Sequence, residues 1–219
     1  MIKAIFYDFD GVILDTVEIK GEAFIQLFKN LDNFNEVKII DYHAKNGGMP
    51  RYEKIKNIYE IILNKKISNE HLLKLCDEYS KIVFENLLSA DWIEGSKNFI
   101  RDHNKEYKQF IISAAPEFEI NKIVSKKNIR PFFIEVLGSP KNKVDHINDL
   151  LDKYNLKCFE VLFIGDSIHD YYASDKTEVN FIGLSKKSPT FFPSHVKVVE
   201  SFKGLFLNNG KIIFEGENF

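Results

Sequence analysis

Two hydrophobic periodicities divide the chain. Continuous apolar runs ending in polar or small residues recur: AIFYDFDG from residue 4, QFIISAA from 109, FFIEVLGS from 132, VLFIGDS from 161 and NFIGLS from 180. Runs that do not alternate are expected of strands buried on both faces of a parallel sheet. Helical patterns separate the later runs. Pro116 stands where a helix begins, Glu117 and Glu119 follow it, and Lys126 and Lys127 close it, which matches the helix dipole. Val144, Ile147, Leu150 and Leu151 mark another helix face. From about residue 93 onward the chain therefore alternates strand and helix.

Residues 16 to 92 follow a different rule. Phe24, Leu27, Phe28 and Leu31 recur at helical spacing, as do Ile55, Ile58, Tyr59 and Ile62, and Leu72, Leu75, Cys76 and Tyr79. Gly47 and Gly48 end one helix, and Pro50 suits the first turn of the next. This block reads as about four helices inserted after the first strand, with a hinge candidate at Trp92 to Ser96. The expected fold class is α/β: a Rossmann-like parallel sheet with helices on both faces, built from residues 1–15 and 93–219, plus an inserted all-helical domain at 16–92. The tail from about 186, with SPTFFPSH and IIFEGENF, reads only as closing structure.

Composition narrows the function classes. The 219 residues are 44% hydrophobic, enough for a real core. A net charge of −2 gives no sign of a nucleic-acid partner. Cys76 and Cys158 are too few and too far apart for a disulfide framework or a zinc site. No apolar run approaches the roughly 18 residues of a membrane helix. The start, MIKAIFYDFD, is charged too early for a signal peptide, so a soluble cytoplasmic protein with no membrane partner is expected.

The chemistry lies in acids at strand ends. Asp8 and Asp10 end the first run and, two residues apart, face the same side. Gly11 behind them lets the backbone come close to a ligand. Asp166 ends the fourth run and Asp170 follows four residues on. Each alone reads as a turn former or helix cap, and Asp15 as a helix-entry acid. If the two strands are neighbours, four carboxylates crowd one pocket and cannot all stay ionised unaided. A hard cation such as Mg²⁺, bound by carboxylate oxygens and bridging to a phosphate, resolves the conflict. None of the six histidines shows metal-ligand spacing.

DFDGVILDT resembles the first signature of the haloacid dehalogenase-like hydrolases. FIIS ending at Ser113, GSPKNK at 138–143 and GDSIHD at 165–170 resemble the second, third and fourth, in that family's order. The helical block is similar to the C1-type cap of the same superfamily. The resemblance implies Asp8 as nucleophile forming an aspartyl phosphate, and Asp10 as general acid then base. An acid at position 10 further implies phosphoryl rather than halide chemistry. It implies Ser113 and the backbone amide of Ala114 as phosphoryl donors, and a lysine balancing charge, with Lys141 and Lys143 both candidates and the GSPxxK form favouring Lys143. It implies Mg²⁺ held by Asp8, Asp166 and the backbone carbonyl of Asp10, with Asp170 either a ligand or a residue just behind the ligands.

Under that resemblance substrate choice belongs to the cap. Lys20 lies where related mutases carry a histidine, and HAKNGGMPRYEK at 43–54 looks like the cap's specificity loop. Arg51 or Lys20 could grip a second anionic group, while Lys54, on the Arg51 face, reads mainly as a solvated cation. The expected function is a Mg²⁺-dependent phosphomonoesterase acting on a small phosphorylated metabolite, such as a sugar phosphate or a phosphoglycolate-like acid. The alternatives are a sugar phosphomutase using the same intermediate and a catalytically silent binding protein on this fold.

Overall fold

The structure, a computed structural model, describes residues 1–186 and 190–214. The chain opens with β1 (Ala4–Tyr7) and then runs through α1 (Val17–Phe28), α2 (Glu36–Lys45), α3 (Arg51–Asn57) and α4 (Asn69–Ser89). A π-helical turn, Ile58–Ile62, extends α3. There follow α5 (Ser96–His103), β2 (Lys108–Pro116), α6 (Glu117–Lys126), β3 (Glu135–Ser139), α7 (Lys143–Lys153), β4 (Val161–Gly165), α8 (Ile168–Thr177) and β5 (Asn180–Leu184). The tail adds β6 (Val198–Val199) and a hairpin of β7 (Leu205–Asn208) and β8 (Lys211–Phe214). Residues 187–189 and 215–219, parts of the two tail runs noted in the sequence, lie outside the described residues.

Six strands form one parallel sheet in the order β3-β2-β1-β4-β5-β6. Every expected apolar run supplies one of its first five strands. Alternate residues of β1 enter opposite layers: Ile5 and Tyr7 join Phe99, Ile120 and Ile123 on one face, while Ala4 and Phe6 join Ile147, Leu150 and Ala173 on the other. Helices therefore cover both faces, which is why the strands carry no polar side. Because β1 lies between β2 and β4, the chain order reverses beside it. In sheets of this topology that reversal opens a crevice at the carboxyl ends of the strands.

The first four helices, α1 to α4, bury their own stripe, with Phe24, Phe28, Ile39, Ile55, Leu72 and Tyr79 inside. Asn35 and Ser68 cap α2 and α4 by accepting from the Lys38 and His71 amides. The chain enters and leaves this insert through two antiparallel segments. Asp15 donates its amide to Asp91 at 2.9 Å, and Ile93 donates to Ile13 at 3.1 Å. Both hinge segments are thus held by backbone bonds that do not depend on side chains.

A buried ion pair fastens the insert to the core at a distance from that hinge. The Arg51 guanidinium, at the start of α3, donates to both carboxylate oxygens of Glu119 on α6, each at 2.7 Å, and to Ser80 Oγ at 2.5 Å. It also stacks over the Tyr79 ring, 4.6 Å from the centroid. Burial opposes both charges, but the mutual contact outweighs it: Glu119 is held below the usual carboxylate range and Arg51 above its own. The sequence suggested Arg51 as a grip for substrate; in the structure its fork is instead filled by Glu119, 68 residues away. Removing one partner of such a pair leaves the other buried and uncompensated. Arg51→Met should lower stability by about 3–5 kcal/mol in urea unfolding. The double variant Arg51→Met/Glu119→Leu should recover most of it, and equal losses in both proteins would contradict a pairwise origin.

Candidate active site

The crevice beside β1 collects the acids and their partners. Asp8 directly follows β1, and its amide still donates to Ile164 of β4 at 2.9 Å. Its carboxylate is buried, and Oδ1 lies 2.8 Å from Lys143 Nζ without a well-directed hydrogen bond. Lys143 is the first residue of α7, whose preceding Asn142 caps the helix by accepting from the Asp145 amide. Its ammonium also pairs with Asp170. Burial works against the charge on Lys143, yet Asp170 and Asp8 raise its pKa overall. Lys141 turns outward to Asp149 on the surface, so of the two lysines Lys143 is the one that reaches Asp8.

Two glycines make room for this packing. Gly11 has φ +73°, and a Cβ there would sit 2.2 Å from Asp166 Oδ2. A Cβ on Gly165 would sit 2.3 Å from Asp170 Cβ. The glycine behind the first acids thus accommodates a carboxylate of the protein itself, and Gly165 lets Asp170 lie under the sheet edge.

Among the described residues, Asp8, Asp166 and Asp170 each bring a carboxylate oxygen within 4.8 Å of the others. Three carboxylates face one buried ammonium. Like unit charges at this range repel by about 3–4 kcal/mol even at an effective dielectric constant of about 20. The strain appears in proton affinities. Burial pushes Asp8 up to about 7, with Asp170 and Asp10 adding to it and Lys143 opposing. Burial, then Asp8 and Asp170, push Asp166 well above its ordinary range. A clustered set of hard oxygen donors with surplus negative charge, one of them lacking a directed hydrogen bond, fits a divalent cation such as Mg²⁺. Asp170 is partly committed elsewhere: Oδ1 meets Lys143, and Oδ2 accepts from the Ser167 amide at 3.0 Å and hydroxyl at 2.6 Å.

Asp10 faces a different environment. Its carboxylate accepts from Thr16 Oγ1 at 2.7 Å and pairs with Lys20 of α1. Burial would raise it, but Lys20 and the Thr16 bond win and hold it below the usual carboxylate range. Lys20, suggested by the sequence as a substrate grip, is thereby engaged by the first motif's second acid. Ser113 is buried near the end of β2, and its hydroxyl oxygen accepts the Ala115 amide at 3.1 Å, so its own proton is free to be donated. Ala114 lines the cavity that opens above these groups.

Residues 5–184 match the sequence profile of the family described as haloacid dehalogenase-like hydrolase. The chain belongs to that family. It is 22% identical to a phosphoglycolate phosphatase of Vibrio vulnificus (strain CMCP6) over 195 residues, covering 84% of each chain. Its fold is similar to that of β-phosphoglucomutase from Clostridium difficile, with a TM-score of 0.77, 20% identity and 92% of each chain covered. It is also similar to the Bacillus subtilis hydrolase YfnB, whose structure is described as bound to magnesium and as revealing interdomain movement, with a TM-score of 0.69, 16% identity and coverage of 92% and 96%.

In this member of the haloacid dehalogenase-like family, the cavity measures about 680 Å³ and lies between the strand ends and the insert. The insert contributes Lys20, His43, Arg51 and Lys54 to its wall. No helix among the described residues is long and apolar enough to cross a membrane. Three contributors escaped the sequence reading. Ser167 carried a signal, since Ser-x-x-Asp ahead of an apolar stretch marks a capping box, and Ser167 and Asp170 form one. Thr16 closes the DFDGVILDT signature, which assigns it no role of its own. His43 opens the stretch that looks like the cap's specificity loop, and its sequence context points only to a surface or core histidine. Its place depends on α2 packing against α1, where its Nε2 bonds the Val17 carbonyl at 3.0 Å.

Burial, reinforced by Lys54, lowers the His43 pKa to about 3, so it is neutral in the folded protein. An unfolded histidine titrates near about 6.5. Its contribution to stability is therefore complete above that pH and declines as pH falls from about 6.5 toward 3, because the unfolded chain takes up the proton first. The slope from this one group is up to about 1.4 kcal/mol per pH unit. The stability of His43→Gln relative to wild type should thus rise as pH falls from 6.5 to 4.5. Parallel urea midpoints for the two proteins across that interval would rule out a buried neutral His43.

Proposed function

We propose that this protein is a Mg²⁺-dependent phosphomonoesterase that hydrolyses a small phosphorylated metabolite through an aspartyl phosphate on Asp8. The observation that carries this reading is the placement of Asp8. It lies at the carboxyl end of the central strand, against Lys143, with Asp166 and Asp170 close by. The phosphoglycolate phosphatase relative supports the reaction class, and the magnesium-bound hydrolase supports the metal.

Asp8 attacks phosphorus, which splits one transfer into two easier ones. Lys143 balances charge on Asp8 and on the incoming phosphoryl oxygens. The Ser113 hydroxyl and the Ala114 amide donate to those oxygens and orient the group. Asp10, within the same crevice, gives its proton to the departing oxygen and then takes one from the water that cleaves the intermediate. The contact with Lys20 favours the ionised form, which suits the second, proton-accepting step and works against the first, so Asp10 must take up a proton before it can donate one. Asp8, Asp166 and the Asp10 carbonyl would hold Mg²⁺, with Asp170 supporting them. The ion supplies positive charge to neutralise the phosphoryl oxygens. Residues 16–92 act as a cap that excludes bulk water and strengthens these contacts.

A phosphomutase using the same aspartyl phosphate is the second reading, favoured by the likeness to β-phosphoglucomutase. It returns the phosphoryl group to the sugar and releases no phosphate. Incubation with a panel of phosphate esters and Mg²⁺ separates the two by product: free phosphate for the esterase, isomerised ester without free phosphate for the mutase. Asp8→Asn should reduce turnover by at least about a thousandfold with the fold intact, and chelation should abolish turnover until Mg²⁺ is returned. A variant within about tenfold of wild type, about 1.4 kcal/mol of barrier, would remove Asp8 from the chemistry.

A further inference from the structure

The insert turns three cations toward the cavity, Arg51 and Lys54 buried and Lys20 partly so, and they differ in what neutralises them. Lys20 has Asp10. Arg51 has Glu119. Lys54 has no acid. It is only 4% exposed, and among the described residues it makes no ion pair. Its hydrogen-bond partner is His43 Nδ1 at 3.3 Å. The assignment of that imidazole follows from its other contact. Nε2 meets the Val17 carbonyl, which only accepts, so Nε2 carries the proton and Nδ1 offers a lone pair to the ammonium. His43 thus orients Lys54 without supplying charge. The remaining neighbour, the Phe24 ring, lies 5.8 Å from the ammonium and is neutral too.

An ammonium so deeply buried without a counter-charge is costly, and proteins usually pair such groups. Burial, and then the nearby Lys20, lower the Lys54 pKa to about 7, so an anion reaching it would restore its charge. The acids whose fields oppose that lowering, Asp10 and Asp166, are both engaged elsewhere. Asp10 is held by Lys20 and Thr16, and Asp166 belongs to the carboxylate cluster. The cavity it lines, about 680 Å³, falls within the range of small-molecule sites, about 300–1,000 Å³. It leaves room for more than a phosphoryl group.

We propose that the substrate carries a second anionic group, a carboxylate or a second phosphate, and that Lys54, oriented by His43, receives it. The proposal rests on the phosphomonoesterase reading and names its substrate class. It moves the recognition role from Arg51 and Lys20, which have protein partners, to the cation that lacks one.

The test compares two pairs of ligands that differ in the second charge: phosphoglycolate against its neutral amide, and fructose 1,6-bisphosphate against fructose 6-phosphate. Turnover with Mg²⁺ is measured for wild type, Lys54→Met and Lys54→Arg. Binding of the same ligands is measured by calorimetry in an Asp8→Asn background, where the chemistry is blocked. Wild type should favour the doubly anionic ligand at least tenfold in one pair, and the pair in which it does so identifies carboxylate or phosphate. Lys54→Met should bring that ratio within about twofold of unity, and Lys54→Arg should retain the preference. The melting temperature of Lys54→Met should be no lower than that of wild type, since an apolar chain replaces an unpaired charge. A Lys54 that only braces His43 would instead lower the melting temperature and leave the ratio unmoved, which overturns the proposal. So does a wild type without preference in either pair. Absence of turnover on any ester would refute the phosphomonoesterase reading alone, because the calorimetric ratios still decide the role of Lys54.

Discussion

The ammonium of Lys143 lies between Asp8 and Asp170, and the architecture of the site depends on that shared contact. It joins the end of β1, the first residue of α7 and the first turn of α8 in one buried cluster. None of these charges would be stable there alone, because leaving water costs each several kcal/mol. The sheet order supplies the meeting point: β1 lies between β2 and β4, so Asp8, Ser113 and Asp166 emerge side by side. One lysine does not neutralise three acids, however. Burial first, and then the residual negative charge, raise Asp8 and Asp166 toward their protonated forms. The residual charge is also what gives a divalent cation a reason to bind.

Asp8 and Asp10 show how far two neighbouring carboxylates can be driven apart by their surroundings. Asp8 is raised by burial, with the neighbouring acids adding to it; Asp10 is held by Lys20 and Thr16 and is lowered. Separation of proton affinities between paired acids is the usual mark of divided roles. Here the division comes from the insert, because Lys20 lies on α1 and not on the sheet. The insert therefore sets the proton affinity of one of these two acids as well as walling the cavity.

The sheet was legible in the sequence because strands buried on both faces must be apolar throughout, and the runs at 4, 109, 132, 161 and 180 have no other economical explanation. The helical insert was legible by its spacing, and the acids by their positions just after apolar runs. Lys143 was legible through the GSPKNK resemblance, but the environments of the insert's cations were not. Lysine and arginine at helix starts look alike whether solvated or buried, and their partners can lie far off in the chain: Glu119 is 68 residues from Arg51. Lys54 looked like the most ordinary of them and is among the most buried. Its burial depends on α2 and α3 packing around His43, which no local pattern encodes. The short β6 and the β7–β8 hairpin were likewise hidden, because two- and four-residue strands carry too little periodicity to register.

The three cations of the insert illustrate a general division between holding and recognising. The two terminal nitrogens of Arg51 are matched by Glu119, so a ligand could take its bidentate fork only by breaking that pair and leaving a buried carboxylate behind. Of its nitrogens, Nε alone has no hydrogen-bond partner among the described residues. Such a pair fixes where the insert sits but offers little to a substrate. Lys54 is the reverse: its contacts, His43 Nδ1 and the Phe24 ring, are neutral, and among the described residues it lines the cavity wall without an ion pair. Sites commonly break the rules of stable packing where they bind, and the remainder of the structure offsets the cost. The backbone-bonded hinge and the Arg51–Glu119 pair supply that offset here. With the insert held by those contacts, Lys54 is left as the buried cavity-lining cation of the insert that has no acidic partner among the described residues.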